Sequence, residues 1–340
     1  MFRRHLPEAP WGPPARVLDS EVWPSRNRSL EEPRHRSQRL DGDSDPCFGD
    51  MISTKDDHTL RIGFQNIGGL TYENNNTYKD ELLREGVNNF QFDNLGLAET
   101  NTDWRLVDKA SRLYNWTKGW WESLHLSLSF NCTQPPAQRQ RWGGTAIISI
   151  NKAAHCVAER GIDNSKLGRW SWNKFRGKNN HLIHVFVAYC PNPPSGPLSV
   201  YAQHRSFLLL RNDEKCPREA FLQDISADIA SALANEEKVI LMLDRNHNMK
   251  KGNLADQLSR IGLHEAIIDK YGTNGPSTFR RNTARTPIDG IWISQDVKIH
   301  RGGYFEYDQF ILNADHRCIW VDIKFGQAFG HNWTARDFYV

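Results

Sequence analysis

The chain has 340 residues, 39% hydrophobic and 24% charged, a globular composition long enough for one large domain or two small ones. A formal net charge of only +3 excludes coating of nucleic acid by charge alone, so any phosphate would be held by a local group of residues. No run approaches the roughly 20 apolar residues of a membrane helix. The six cysteines, at 47, 132, 156, 190, 216 and 318, make neither a C-x-x-C pair nor a cluster with histidine.

Residues 1–57 are rich in Pro, Arg, Ser, Asp and Glu, carry no helical or strand period, and predict a disordered arm. Its start, Met1-Phe-Arg-Arg-His, resembles a transit peptide, but Glu8, Asp19 and Glu21 argue against one. The Asn-x-Ser/Thr triplets at Asn27, Asn75, Asn115, Asn131 and Asn332 are read as chance, and the expected compartment is nuclear or cytoplasmic.

A domain is expected over 58–326, followed by a tail over 327–340. Strands are predicted at 60–66, 94–99, 143–150, 168–175, 181–189, 238–244, 287–294 and 317–324. Phe221, Ile225, Ile229 and Leu233, every fourth residue, predict a core-facing helix over 219–234. Residues 115–140, with Trp116, Trp120 and Trp121 ahead of a polar Gln-Pro-rich stretch, read as a long surface loop whose aromatics pack beneath it. Eight or more strands with interspersed helices and no repeat point to one α/β domain of face-to-face sheets with helices outside.

Several of these strands meet acidic, amide or histidine residues at an end, which places polar atoms at a sheet rim. Ile62-Gly-Phe-Gln-Asn66 runs into a glycine turn, and Asn66 alone would be a turn former. Leu95-Gly-Leu-Ala-Glu99 closes on a carboxylate that would cap a helix or hold a divalent cation. Val185-Phe-Val-Ala-Tyr189 ends in a phenol followed by Pro191 and Asn192, and Val239 to Leu243 delivers Asp244 and, two residues on, Asn246. Asp289 begins Asp-Gly-Ile-Trp-Ile, and Asp315-His316 precedes the last strand. An Asp-His pair can bind or protonate an oxyanion, although a single such pair is more often a surface turn. Together these types supply a base, a nucleophile-orienting group and donors for developing negative charge.

In order, Gln65-Asn66-Ile-Gly-Gly-Leu70, Leu97-Ala-Glu99-Thr100, Gly143-Gly-Thr-Ala-Ile147, Ala188-Tyr-Cys-Pro191, Asp244-Arg-Asn246, Ile288-Asp-Gly-Ile291 and Ala314-Asp-His316 resemble the endonuclease/exonuclease/phosphatase superfamily, the DNase I-like enzymes, over about residues 58–325. The resemblance implies a two-sheet α/β sandwich of four layers and a divalent cation, Mg2+ with Mn2+ as a substitute. It implies Glu99 as the main metal ligand with Asn66 and Asp315 nearby. It implies Asp244 as activator of the attacking water, Asn246 as its orienter, Tyr189 as a phosphate contact, and Asp289 as the group that orients a transition-state-stabilising His316.

Two departures stand out. Leu243 replaces the usual glycine before Asp244, which threatens to shift that carboxylate, and Ala314 replaces the usual serine; Arg245 is expected to alternate away from the site. Gly275-Pro-Ser-Thr-Phe279, followed by a basic stretch and Ile-Asp289, looks most like retrotransposon-type DNA endonucleases. Arg280, Arg281 and Arg285 then read as backbone-binding residues together with Asn192, and DNA is the expected partner. A phosphatase or phospholipid phosphodiesterase of the same superfamily, and an inactive nucleic-acid-binding member, are the alternatives.

Overall fold

The computed structural model describes residues 47–70, 78–109, 112–193, 196–249, 253–307, 309–310 and 315–330. Its strands are β1 (Phe48–Gly49), β2 (Thr59–Asn66), β3 (Asn94–Ala98), β4 (Leu124–Ser129), β5 (Thr145–Ile150), β6 (Val157–Ile162), β7 (Trp170–Arg176) and β8 (Leu182–Tyr189). Then come β9 (Lys238–Asp244), β10 (Leu263–Glu265), β11 (Phe279–Arg281), β12 (Ala284–Thr286), β13 (Asp289–Ser294), β14 (Ile299–Tyr304) and β15 (Ile319–Lys324). The helices are α1 (Tyr78–Asn89), α2 (Leu113–Thr117), α3 (Asn151–Cys156), α4 (Val200–Leu209), α5 (Pro217–Ala234), α6 (Asn253–Arg260), α7 (Ala266–Tyr271) and α8 (Phe325–Phe329).

Period-two alternation along these strands sorts the apolar residues into layers. Leu60, Ile62 and Phe64 of β2, Val185 and Val187 of β8, Ile240 and Met242 of β9, Ile291 and Ile293 of β13, and Ile319, Val321 and Ile323 of β15 fill one core between two sheets. The outward residues of the first sheet, among them Leu95, Leu97, Ile148 and Trp320, meet Leu83 and Val87 of α1. The outward residues of the second, among them Phe186, Leu241, Leu243 and Trp292, meet Phe221, Ile225 and Ile229 of α5 and Leu258 of α6. Helix, sheet, sheet and helix thus make the expected four layers.

The seven-stranded sheet runs β1-β14-β15-β2-β3-β5-β4 and the six-stranded sheet β10-β13-β9-β8-β7-β6, while β11 and β12 form a separate hairpin. In each large sheet one central pair is parallel, β2 with β3 and β8 with β9, and the other pairs are antiparallel. The sheets approach closely at Gly96, where an added Cβ would lie 2.5 Å from Val187 Cγ2 and 2.8 Å from Met242 Sδ.

Behind the first sheet Arg61 and Asp322 form a buried bidentate pair, Nε to Oδ1 and Nη2 to Oδ2 both at 2.8 Å. Arg61 also donates through Nη1 to the Ser53 and Phe90 carbonyls, and its guanidinium lies 5.0 Å from the Trp320 ring. The ion pair, the two carbonyls and the ring together are what make a fully buried cation tolerable.

Four expectations change. The expected arm is too long, because Phe48–Gly49 pairs with β14 and Phe48 packs on Tyr271 and Tyr304; its first 46 residues lie outside the described residues. The domain continues past 326, since Ala328 and Phe329 are buried in the central core; residues 331–340 of the expected tail lie outside the described residues. The stretch 115–140 is not wholly a loop but contains β4, paired along its length with β5. Its tryptophans pack as expected, Trp120 edge-on to both Trp116 and Trp121 against the first outer core. Finally, strands predicted from 143 and 287 begin at 145 and 289, because Gly143 and Gly144 adopt left-handed φ of +93° and +88° and Pro287 has no amide hydrogen to donate.

Asp322→Ala would strand the Arg61 guanidinium in the interior. The expected cost is about 3–5 kcal/mol, read as a lower urea midpoint at unchanged slope.

Candidate active site

The alternation that builds the central core also builds the site. Asn66, Tyr189 and Asp244 continue the inward-facing series of β2, β8 and β9 by one more step, and Asp289 opens that of β13. Sheet register aligns them, with Asp244 opposite both Tyr189 and Asp289. All four are at least nine-tenths buried at one end of the sandwich. Glu99, one residue past β3, turns out of the strand with φ of +52° and is only partly buried.

Asp244 accepts from Asn66 Nδ2 at 2.7 Å and from the Asn246 amide at 2.8 Å. Burial first, and then the Asp289 charge, push its carboxyl up to about 8. Asn246, itself at φ +51°, donates through Nδ2 to the Cys190 carbonyl at 2.8 Å. Burial, followed by the Glu99 and Asp244 charges, lifts the Tyr189 hydroxyl far above its ordinary value, and that hydroxyl is hydrogen-bonded to both Glu99 and Asn246.

Asp289 accepts from His316 Nδ1 at 2.8 Å, and His316 Nε2 lies 3.8 Å from Asp315 Oδ1. Burial alone would lower the imidazole pKa; the Asp289 charge and hydrogen bond outweigh it and hold the ring up to about 10. Thr278, fully buried, bonds through Oγ1 to the Ile288 and Asp289 amides at 2.9 and 3.0 Å, and Gln65 Nε2 donates to the His316 carbonyl at 2.9 Å. Neither Thr278 nor Gln65 was expected as a site residue. The signal for Thr278 lay in the Pro-x-Thr-aromatic pattern already noticed, but nothing in the sequence linked it to Asp289.

Leu243 does not crowd Asp244. Its side chain is buried in the outer core with α5, and the residue opposite it on β13 is Gly290. Arg245 is buried as well and bonds the Asn248 carbonyl at 2.7 Å. Ala314 lies outside the described residues. Arg280 and Arg285 are opposite one another in the β11–β12 hairpin, whereas Arg281, next along β11, alternates to the other face. The Arg280 amide donates to the Asp315 carbonyl at 2.8 Å, which ties the hairpin to the histidine segment. Asn192 is exposed in the loop after β8, outside this hydrogen-bonded cluster.

No protein-family model matches the sequence, and no curated protein matches it. Solved structures are. An AP endonuclease from Leishmania major superposes with a TM-score of 0.55 at 14% identity, covering 82% of this chain and 93% of that one. The 3' phosphatase NExo from Neisseria, bound to product DNA hairpin, gives 0.52 at 14% identity over 78% and 99%. An endonuclease/exonuclease/phosphatase from Beutenbergia cavernae gives 0.53 at 11% identity over 78% and 72%.

The chain has the endonuclease/exonuclease/phosphatase fold. Within that DNase I-like sandwich, the ligand atoms of Asp244, Asp289 and His316 lie within 4.8 Å of one another and would suit a cation. Their own bonding argues for a different use, since Asp244 is taken up by Asn66 and Asn246 and His316 by Asp289. Glu99 and Asp315 are the carboxylates here that stay partly exposed, while Asn66 Oδ1 accepts from the Gly68 amide at 3.0 Å.

Asp289→Asn removes the charge that outweighs burial. The imidazole titration of His316, followed by NMR, should fall from about 10 to below the ordinary 6.5. Because the folded value stands above the unfolded one, His316 contributes stability below pH 6.5 that is lost as pH rises through about 10; the variant should lack that slope.

Proposed function

We propose that the chain is a divalent-metal-dependent phosphodiester hydrolase acting on nucleic acid, a DNA endonuclease of the retrotransposon type. The observation that carries the reading is the convergence of a buried Asp244 with raised basicity, a doubly protonated His316 fixed by Asp289, and a rim carboxylate at Glu99. These are the parts that hydrolysis of a phosphodiester needs.

Glu99, with Asn66 and Asp315, would hold the cation, which supplies positive charge to the phosphoryl and leaving oxygens. Asp244 takes a proton from water held by Asn246 as the water oxygen bonds to phosphorus and the bond to the leaving oxygen breaks. A carboxyl near 8 is a far stronger acceptor than an ordinary one near 4. His316 donates from Nε2 to a phosphoryl oxygen, with Asp289 fixing the ring through Nδ1. Tyr189, bonded to Glu99 and Asn246, sets the phosphate between them. Arg280 and Arg285 hold the flanking backbone through the hairpin anchored at Asp315, and Arg281 and Asn192 would add backbone contacts of their own.

Supercoiled plasmid incubated with Mg2+ should be nicked, and EDTA should abolish nicking. Glu99→Gln and His316→Ala should each lose about 100-fold or more, with unchanged circular dichroism. Release of inorganic phosphate or lipid headgroup, with plasmid left intact, would replace the nuclease reading by a phosphatase or phospholipase one.

A further inference from the structure

Among the described residues, six large hydrophobics are exposed, and two of them flank one contact beside the site. Trp142 is 42% exposed and Leu198 60%. Trp142 precedes Gly143, and Leu198 stands two residues before Val200, whose Cγ2 would lie 3.1 Å from a Cβ built on Gly143. The Gly143 segment runs beside the continuation of β3 past Glu99. The Thr100 amide donates to the Gly144 carbonyl, and the Asn101 amide to the Gly143 carbonyl at 2.8 Å.

The loop that carries Trp142 is pinned on both sides. The Gly143 amide donates to Asn101 Oδ1 at 2.7 Å and the Arg141 amide to the Asn101 carbonyl at 3.1 Å. Arg141 Nε lies 3.1 Å from the fully buried Asp103 carboxylate, and Arg141 Nη2 donates to the Pro135 carbonyl at 2.8 Å. Arg141 and Gly143 are therefore buried while the indole between them stays open to solvent. An aromatic ring on a backbone already fixed loses little conformational entropy when a ligand covers it.

We propose that Trp142 is a stacking platform for an unpaired nucleobase next to the phosphodiester that is cut. The inference rests on the nucleic-acid reading above. An indole face is apolar and lacks a charge for phosphate, but it matches the π-face that every base carries. In a duplex those faces are covered by neighbouring bases. The substrate part lying here is therefore a single strand, a flap or an extruded nucleotide. The chain's small net charge fits this, because stacking adds affinity that electrostatics does not provide.

The test uses the full chain and partly single-stranded oligonucleotides in which one base at a time near the cut is replaced by an abasic sugar. In wild type, loss of the stacked base should raise KM roughly fivefold or more. In Trp142→Ala the same replacement should change KM less than about twofold, and Trp142→Phe should restore part of the discrimination. An equal penalty in wild type and Trp142→Ala, or no penalty at any position, overturns the proposal. A 2-aminopurine placed at the sensitive position, or scanned along the strand, should be quenched in EDTA by wild type and not by Trp142→Ala. Quenching without any Mg2+-dependent cutting would overturn the hydrolase reading and keep the platform; cutting without quenching would do the reverse.

Discussion

The site depends on holding two carboxylates, Asp244 and Asp289, face to face in the interior, which is costly unless hydrogen bonds and a counter-charge offset it. The antiparallel register of β9 and β13 forces the approach. Asn66 and the Asn246 amide satisfy one carboxylate, and His316 neutralises the other. Around them Thr278 fixes the backbone at Asp289 and Gln65 fixes that at His316. Each partner comes from a different strand or loop, so the two sheets must be packed before the charges can be tolerated together, and chemistry and folding are coupled at one place.

Much of this was legible in the residues. The eight strands expected from apolar runs are present, because Val, Ile and Leu runs such as Val239–Leu243 both form and bury a central strand. The acids and amides at their ends were also visible, since a polar residue that ends an apolar run lies at a rim by geometry. Less legible were β4, with His125 and Ser127 between its leucines, and β14, whose Gly302 and Gly303 weaken the apolar signal. Short β10, β11 and β12 gain their pairing from neighbours rather than from their own sequence.

Site support was the least readable. Thr278 lies ten residues from Ile288 and eleven from Asp289, and Gln65 lies 251 from His316; such pairings depend on where sheets bring loops together. The concern over Leu243 had the same origin. Along one strand a leucine in place of glycine looks obstructive, but across the ladder it faces Gly290 and its side chain serves the outer core. With identities of 11–14% to the superposed structures, the fold is what this chain shares with them.

One modest contact reaches beyond the site. β4 and β6 are the outermost strands of their sheets on the same side of the sandwich, and Arg160 of β6 donates through Nη1 to the Leu126 carbonyl of β4 at 2.9 Å. Glu159 beside it is exposed. A free strand edge is a template on which another molecule can polymerise. Here a guanidinium occupies one of the carbonyls an incoming strand would need, and the adjacent charge repels apolar company. The same clasp ties the margins of the two sheets, far along the ladders from the buried carboxylates, so a change at 160 would be felt at the open edges before it reached the site.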